Sequence, residues 1–392
     1  MILLSVSRET LLFSHFFMSG IYLHVPFCKR VCFYCDFYKC TNLLLKDDFL
    51  RSLKIEILNN SSLLSSLKFE TFYIGGGTPS ILTPADLKYI FDLFKPYLDF
   101  STLKEITIEV NPDDFTDEWM EGLKQTPVNR ISFGFQTVFD DFLKLLNRRH
   151  DHQQSIDAVI KASKNGYNNL SIDLIYGLPG LTIDQWRDTL NEIVQLPIQH
   201  VSAYHLSYEQ GTVFYSRLQK GLLKEVDEEL SLLQFNELVK ILSQSDFDHY
   251  ELSSFSKPNF QSRHNSIYWN GDQYVGFGPS AHSFYGGKRY SNVSDVAEYI
   301  RLLNNNLPVF QCESLTDTDI YNESVMLGLR TSKGIPLSQI QSMPIQYYQF
   351  FEKNASSYID NQMLLVIDGY VIVSPEYRFI TDKIISDLFY VD

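Results

Sequence analysis

Cysteine is scarce in this chain: five residues in 392. So few thiols spread over such a length argue against a disulfide framework. Basic charge is short as well. Lys and Arg number 33 against 47 Asp and Glu, a net charge of −14. That speaks against nucleic acid as a partner, which needs a basic face, while leaving room for a local basic pocket that takes a carboxylate-bearing ligand. No stretch reaches the roughly 18 uninterrupted apolar residues of a membrane-spanning helix, so stable membrane insertion is not expected. Internal repeats and low-complexity linkers are absent too. The hydrophobic share of 44% is that of an ordinary globular protein, and the length suits one large domain with a smaller one.

Residues 1–17 contain Leu and Phe interrupted by Arg8, Glu9 and His15. The apolar run is too short for a membrane span and lacks the basic start and small-residue cleavage site of a signal peptide. They are expected to be a disordered extension, or to precede a true start at Met18.

What cysteine there is stands together. Four of the five lie in I-Y-L-H-V-P-F-C-K-R-V-C-F-Y-C-D-F-Y-K-C, residues 21–40. Cys28, Cys32 and Cys35 form C-x3-C-x2-C, directly after an apolar run that reads as a strand. Three thiolates on one tight loop suit three irons of a [4Fe-4S] cube, with the fourth iron open to a non-protein ligand. Zinc is the rival, although structural zinc takes four closed ligands at wider, paired spacings. Free cysteines gathered in one loop fit a reducing cytosol, so a cytoplasmic location is expected.

Downstream, strand and helix patterns alternate. Strands are expected over 21–25, 71–74, 105–110, 129–135, 170–175 and 200–206, each followed by a helical apolar period. Thr83 before Pro84, and Thr182 with Gln185 three residues on, mark helix starts. Six such units argue for a parallel sheet, either a partial barrel or a doubly wound open sheet. Glycines and polar residues at the C-terminal end of nearly every strand decide for the barrel, because barrel enzymes place their sites there. The expected fold is therefore α/β: a partial (βα)6 barrel over 18–245, then a smaller α+β domain over 246–392. In that second part, helices are expected over 317–329, 344–354 and 381–389, with a hairpin around Asp368-Gly369. Helices followed by a hairpin admit a winged-helix shape, for which the acidic charge makes DNA a poor target.

Several strand ends carry candidate chemistry. Gly75-Gly76-Gly77-Thr78-Pro79 offers backbone amides to a carboxylate, though alone it is a plain turn. Glu109 and Gln136 end two strands, and Arg148 follows a helix. Asp173 sits inside an apolar strand, where a carboxylate costs free energy unless it is paired. After the barrel, His264-Asn265 with Tyr268-Trp269 groups an imidazole with aromatics, which suits a porphyrin but equally suits packed core. His282 and His249 are weaker candidates. His24 is expected to orient the cysteine loop, and Cys312 to be a buried thiol.

The cysteine loop, with Tyr34 before its last cysteine, resembles the radical S-adenosylmethionine (SAM) enzymes. Y-L-H-V-P-F-C ahead of it and C-D-F after it are similar to the oxygen-independent coproporphyrinogen dehydrogenase group, and the likeness runs from Ile21 onward. The resemblance implies a [4Fe-4S] cluster on Cys28, Cys32 and Cys35. It implies SAM lined by Tyr22, Tyr34, Gly76, Gly77, Thr78, Glu109, Gln136, Arg148 and Asp173. H-N-x-x-Y-W resembles the heme-associated motif of the chaperone branch of that group, which makes His264 the expected heme ligand. Phe37 stands where the dehydrogenase has a further cysteine, so the chaperone branch is expected. Its members bind heme and pass it to an acceptor protein, and a flavodoxin- or ferredoxin-type donor would reduce the cluster. The alternative is radical oxidative decarboxylation of coproporphyrinogen III.

Overall fold

The computed structural model describes residues 19–391; the expected N-terminal extension lies outside the described residues. Six strands run parallel in chain order: β1 (Ser19–Val25), β2 (Phe69–Gly76), β3 (Glu105–Val110), β4 (Arg130–Gln136), β5 (Leu170–Tyr176) and β6 (His200–His205). Their period-2 pattern splits the side chains. On β1, Ile21, Leu23 and Val25 are fully buried in the main apolar core, while Tyr22 turns to the other face and meets Tyr73 and His264. The expected helix starts hold. Thr83 and Asp86 form a capping box, as do Thr182 and Gln185, each cap contributing about 1 kcal/mol.

The sheet does not stop at β6. β7 (Asp248–Glu251) and β8 (Ser254–Ser256) add antiparallel strands beside β6. β9 (Gln273–Phe277) joins the opposite side, parallel to β1. β10 (His282–Tyr285), β11 (Lys288–Asn292) and β12 (Phe310–Ser314) continue it antiparallel, giving, among the described residues, twelve strands in one open sheet. The segment after residue 245 therefore begins as an extension of the barrel sheet, and its residues Phe247, Phe255, Val275, Phe277, Tyr299 and Val309 belong to the main core. One buried carboxylate fastens it. Glu56, on the helix Lys46–Asn59, accepts from Tyr299 Oη (2.6 Å), Gly278 N (2.8 Å) and Asn292 Nδ2 (2.6 Å).

A second apolar cluster runs from Tyr321 to Leu388. It packs the helices Asp317–Leu329, Ile345–Asp360 and Thr381–Leu388 against β13 (Ile335–Pro336), β14 (Leu364–Ile367) and β15 (Tyr370–Val373). The β14–β15 turn is the expected Asp368-Gly369 pair, both at positive φ (50° and 81°), as a two-residue hairpin loop requires. Cys312 departs from expectation. It is exposed, because β12 is an edge strand with every residue open to solvent.

Candidate functional site

The cysteine loop leaves the C-terminal end of β1 and is pinned by its own backbone. Cys40 closes its base: Cys40 N donates to Pro26 O (2.7 Å), and Cys28 N donates to Cys40 O (3.0 Å). Asn147 Nδ2 holds Val31 O (2.7 Å), and Phe33 N donates to Leu146 O (3.2 Å). His24 is the brace beneath: its Nε2 donates to Tyr38 O (3.4 Å) and its Nδ1 accepts from Tyr22 Oη (3.1 Å). Burial lowers the His24 pKa to about 4, so it stays neutral in this role.

The loop and the ends of β2 to β6 enclose a cavity of about 460 Å³. It is lined by Cys28, Cys32 and Cys35, and by Tyr34, Gly76, Gly77, Thr78, Glu109, Gln136, Arg148 and Asp173. Two sulfurs already meet donors: Thr78 Oγ1 lies 3.4 Å from Cys28 Sγ, and Arg148 Nη1 lies 3.3 Å from Cys32 Sγ. Arg148 is itself clamped by Asn111 Oδ1 (2.6 Å) and Gly134 O (2.8 Å). A Cβ at position 134 would come within 2.8 Å of Arg148 Nη2, so a larger residue there would displace the clamped guanidinium. The Nε of Arg148 is buried without an acceptor among the described residues. Gln136 closes β4 at φ 71° beside a break in the β4–β5 register. A non-glycine residue there stores about 1–3 kcal/mol of strain, of the kind that gathers at functional sites.

Two carboxylates line the cavity and repel one another. Glu109 Oε1 accepts from Tyr73 Oη (2.8 Å) and Oε2 from Gly76 N (3.2 Å). Burial, with Asp173 nearby, pushes its pKa up to about 7. Asp173, 3.4 Å from Ser132 Oγ, is pushed up to about 6, also by burial. Burial likewise raises the Cys28 thiol to about 11 and raises Cys35. Each of these shifts favours the protonated form, and a nearby cation would offset it: a cationic ligand for the acids, metal for the thiols. The donor set fits a cube. A cube takes one sulfur per iron, so its ligands stand farther apart than those of a single ion. Among the described residues no three His, Cys, Asp or Glu side chains converge to hold one ion.

The profile of the radical SAM superfamily matches residues 22–193, and that of the HemN C-terminal domain matches residues 315–379. The heme chaperone HemW of Lactococcus lactis is 33% identical over 353 residues, 89% of this chain and 91% of that one. Its counterpart in Bacillus subtilis is 36% identical over 321 residues, 81% of this chain and 85% of that one. The chain belongs to the HemW family of radical SAM proteins. A solved structure, coproporphyrinogen III oxidase (HemN) from Escherichia coli, covers 95% of this chain and 90% of its own with a TM-score of 0.81. At 21% identity that likeness speaks for the fold alone. Radical SAM membership implies a [4Fe-4S] cluster and SAM, and the zinc alternative falls.

Tyr22, expected to line the SAM site, does not reach the cavity, and His264, expected to ligate heme at a second site, is engaged elsewhere. Tyr22 stays beneath the mouth, its Oη on His24 Nδ1 and its ring 6.1 Å from that of Tyr73 and 6.4 Å from that of His264. His264, expected to ligate heme, is buried near the opposite end of the strands. Its Nδ1 is 2.7 Å from Thr71 Oγ1 and its Nε2 is 2.8 Å from Tyr268 Oη. Its ring stacks on Tyr73 at 5.0 Å, and burial lowers its pKa to about 3. With both nitrogens engaged, this imidazole has no lone pair to offer an iron. Glu105 fixes it further by accepting the backbone N–H groups of Arg263 and His264 (2.9 and 3.0 Å). His249 is also packed, stacked on Phe255 at 4.1 Å with Nε2 donating to Leu252 O. His282 is exposed on β10.

The cavity also holds residues that sequence reasoning did not single out: Asn111, Gly134, Tyr204 and His205. Asn111, Tyr204 and His205 stand at or just past the C-terminal end of a strand, so the rule that found Glu109 reaches them. Gly134 carried no signal, because its importance lies in the guanidinium packed over it.

Proposed function

We propose that this protein is a heme chaperone: it binds heme, carries a [4Fe-4S] cluster with SAM in the cavity at the strand ends, and passes heme to an acceptor protein in the cytoplasm. The observation that carries this reading is the likeness to HemW proteins over 89% of the chain. Phe37, 67% exposed on the rim of the cavity, supports it, since the dehydrogenase group has a cysteine there. No helix of the described residues is long and apolar enough to cross a membrane.

In this reading Cys28, Cys32 and Cys35 supply the thiolates. Thr78 and Arg148 stabilise two of them by donating to sulfur. Gly76 and Gly77 form the wall for the aminoacyl end of SAM, their amides tied to Glu109 Oε2 and to Val25 O. Glu109 and Asp173 answer its positive charge, and Tyr34, Gln136 and Arg148 complete the wall. When bound and reduced by a flavodoxin- or ferredoxin-type donor, the cluster supplies an electron for cleavage of the SAM sulfonium. The protein's part is to hold SAM in register and keep water out.

The test is a heme titration of the anaerobically reconstituted protein, followed by transfer to an apo-heme protein. One heme per chain and net transfer are expected. The enzymatic alternative predicts steady protoporphyrinogen formation from coproporphyrinogen III, SAM and reductant; that outcome overturns the chaperone reading.

A further inference from the structure

The mouth cavity, at about 460 Å³, is committed to cluster and SAM, and His264 has no free nitrogen. Heme therefore needs another place, and the molecule has a larger one. A cleft of about 850 Å³ opens between the extended sheet and the C-terminal unit. That lies in the upper part of the range of about 300–1,000 Å³ occupied by cofactor sites. One wall is the outer side of the helix Arg263–Trp269 and the strands β9 and β10; the other is the helix Asp317–Leu329 and the turn before β13.

Resting on the chaperone reading, we propose that this cleft is the heme site, with the tetrapyrrole sandwiched between the aromatic wall of Trp269, Tyr274 and Phe284 and the apolar wall of Met326 and Ile335, and its propionates directed to Lys333 and Arg289. The chemistry matches on three counts. Flat aromatic faces suit a porphyrin plane. Lys333 is exposed and makes no ion pair among the described residues, so it is available to a carboxylate. Arg289 now pairs with Glu323, and a propionate would compete for it; Asp272 and Glu323 are the acids of the cleft. The indole Nε1 of Trp269 is buried without an acceptor among the described residues, a donor that a bound ligand or its water would satisfy. Met326 brings a thioether, a known class of heme axial donor. His264 and Trp269 thus share one short helix with opposite duties: the histidine anchors it to the barrel, and the tryptophan faces the cleft.

The test titrates the full-length reconstituted protein with hemin and with hemin dimethyl ester, read at the Soret band. The variants are Lys333→Glu, Met326→Trp and His264→Ala, with the cluster spectrum and Tm as controls of folding. Lys333→Glu should weaken hemin about fivefold but leave the ester unchanged. Met326→Trp, which fills the cleft, should weaken both ligands about tenfold or more. His264→Ala should lower Tm with little change in hemin affinity. Tight hemin binding by the wild type that is unaltered in Lys333→Glu and Met326→Trp overturns the site while leaving the chaperone reading intact. A wild type that binds no hemin overturns the reading itself, and the site with it.

Discussion

The two ends of one parallel sheet are built from the same strands yet are finished differently. At the C-terminal end, polar groups are left in demand. Glu109 and Asp173 are raised toward neutrality, Arg148 Nε has no acceptor, and Gln136 is held at positive φ. Near the other end His264 is closed on all sides by Thr71, Tyr268, Tyr73 and the Glu105-capped helix. A residue type that suits a ligand is no guide when its polar atoms are already engaged. What marks a site is the unmet demand.

Substitutions at the mouth and far below it should therefore differ in kind. The largest effect is on the metal. Ala at Cys28, Cys32 or Cys35 should abolish the reconstituted cluster, read as iron, sulfide and visible absorbance. Cys40→Ala should keep it, because Cys40 serves the loop through its backbone, with its Sγ turned to Asn42 O (3.9 Å). Loss of the cluster in Cys40→Ala would make it a ligand and close the open iron.

Next comes stability away from the mouth. Glu56→Ala leaves two buried donors, Tyr299 Oη and Gly278 N, without an acceptor and takes one from half-buried Asn292, and it should cost about 2–4 kcal/mol by denaturant unfolding, with the cluster retained. His264→Ala leaves Thr71 and Tyr268 without a partner, and should cost about 2–3 kcal/mol with SAM affinity unchanged. An intact Tm in either variant would mean that these groups are not the fastenings described.

A smaller, graded effect is pH dependence at the mouth. The folded-state pKa values of Glu109 (about 7) and Asp173 (about 6) stand above the unfolded carboxylate range. In the absence of SAM these two acids bind more protons folded than unfolded, so their contribution to stability is present below about pH 4 and falls as pH rises to about 7. SAM binding should run the opposite way, strengthening by up to about tenfold per pH unit as the acids ionise. Glu109→Gln and Asp173→Asn should flatten that profile in calorimetric titrations. The smallest effect is at Gln136. Glycine relieves its positive φ and should stabilise the apo fold by about 1 kcal/mol.

Legibility in the sequence followed the same division. Cys28, Cys32, Cys35 and Glu109 announced themselves by spacing or by strand-end position, Asp173 as an acid inside an apolar strand, and Thr83, Thr182 and Asp368-Gly369 by local capping and turn chemistry. Such signals are short-range and survive in one dimension. The placement of β9 beside β1 did not, since a five-residue strand returning after more than two hundred residues has no local signature. Nor did the exposure of Cys312, which depends on β12 having a neighbour on one side only. His264 was read by type, whereas its fate was set by Thr71 and Tyr268, one distant in the chain and one a helical turn away.

Hemin handling by the cluster-loaded protein separates a heme chaperone from a porphyrinogen enzyme most directly. Mixing it with one equivalent of hemin and then an apo-heme acceptor should show binding of one heme per chain, net transfer to the acceptor, and no protoporphyrinogen when coproporphyrinogen III, SAM and reductant are supplied. Failure to bind or transfer hemin, together with steady SAM-dependent protoporphyrinogen formation, would contradict the chaperone reading.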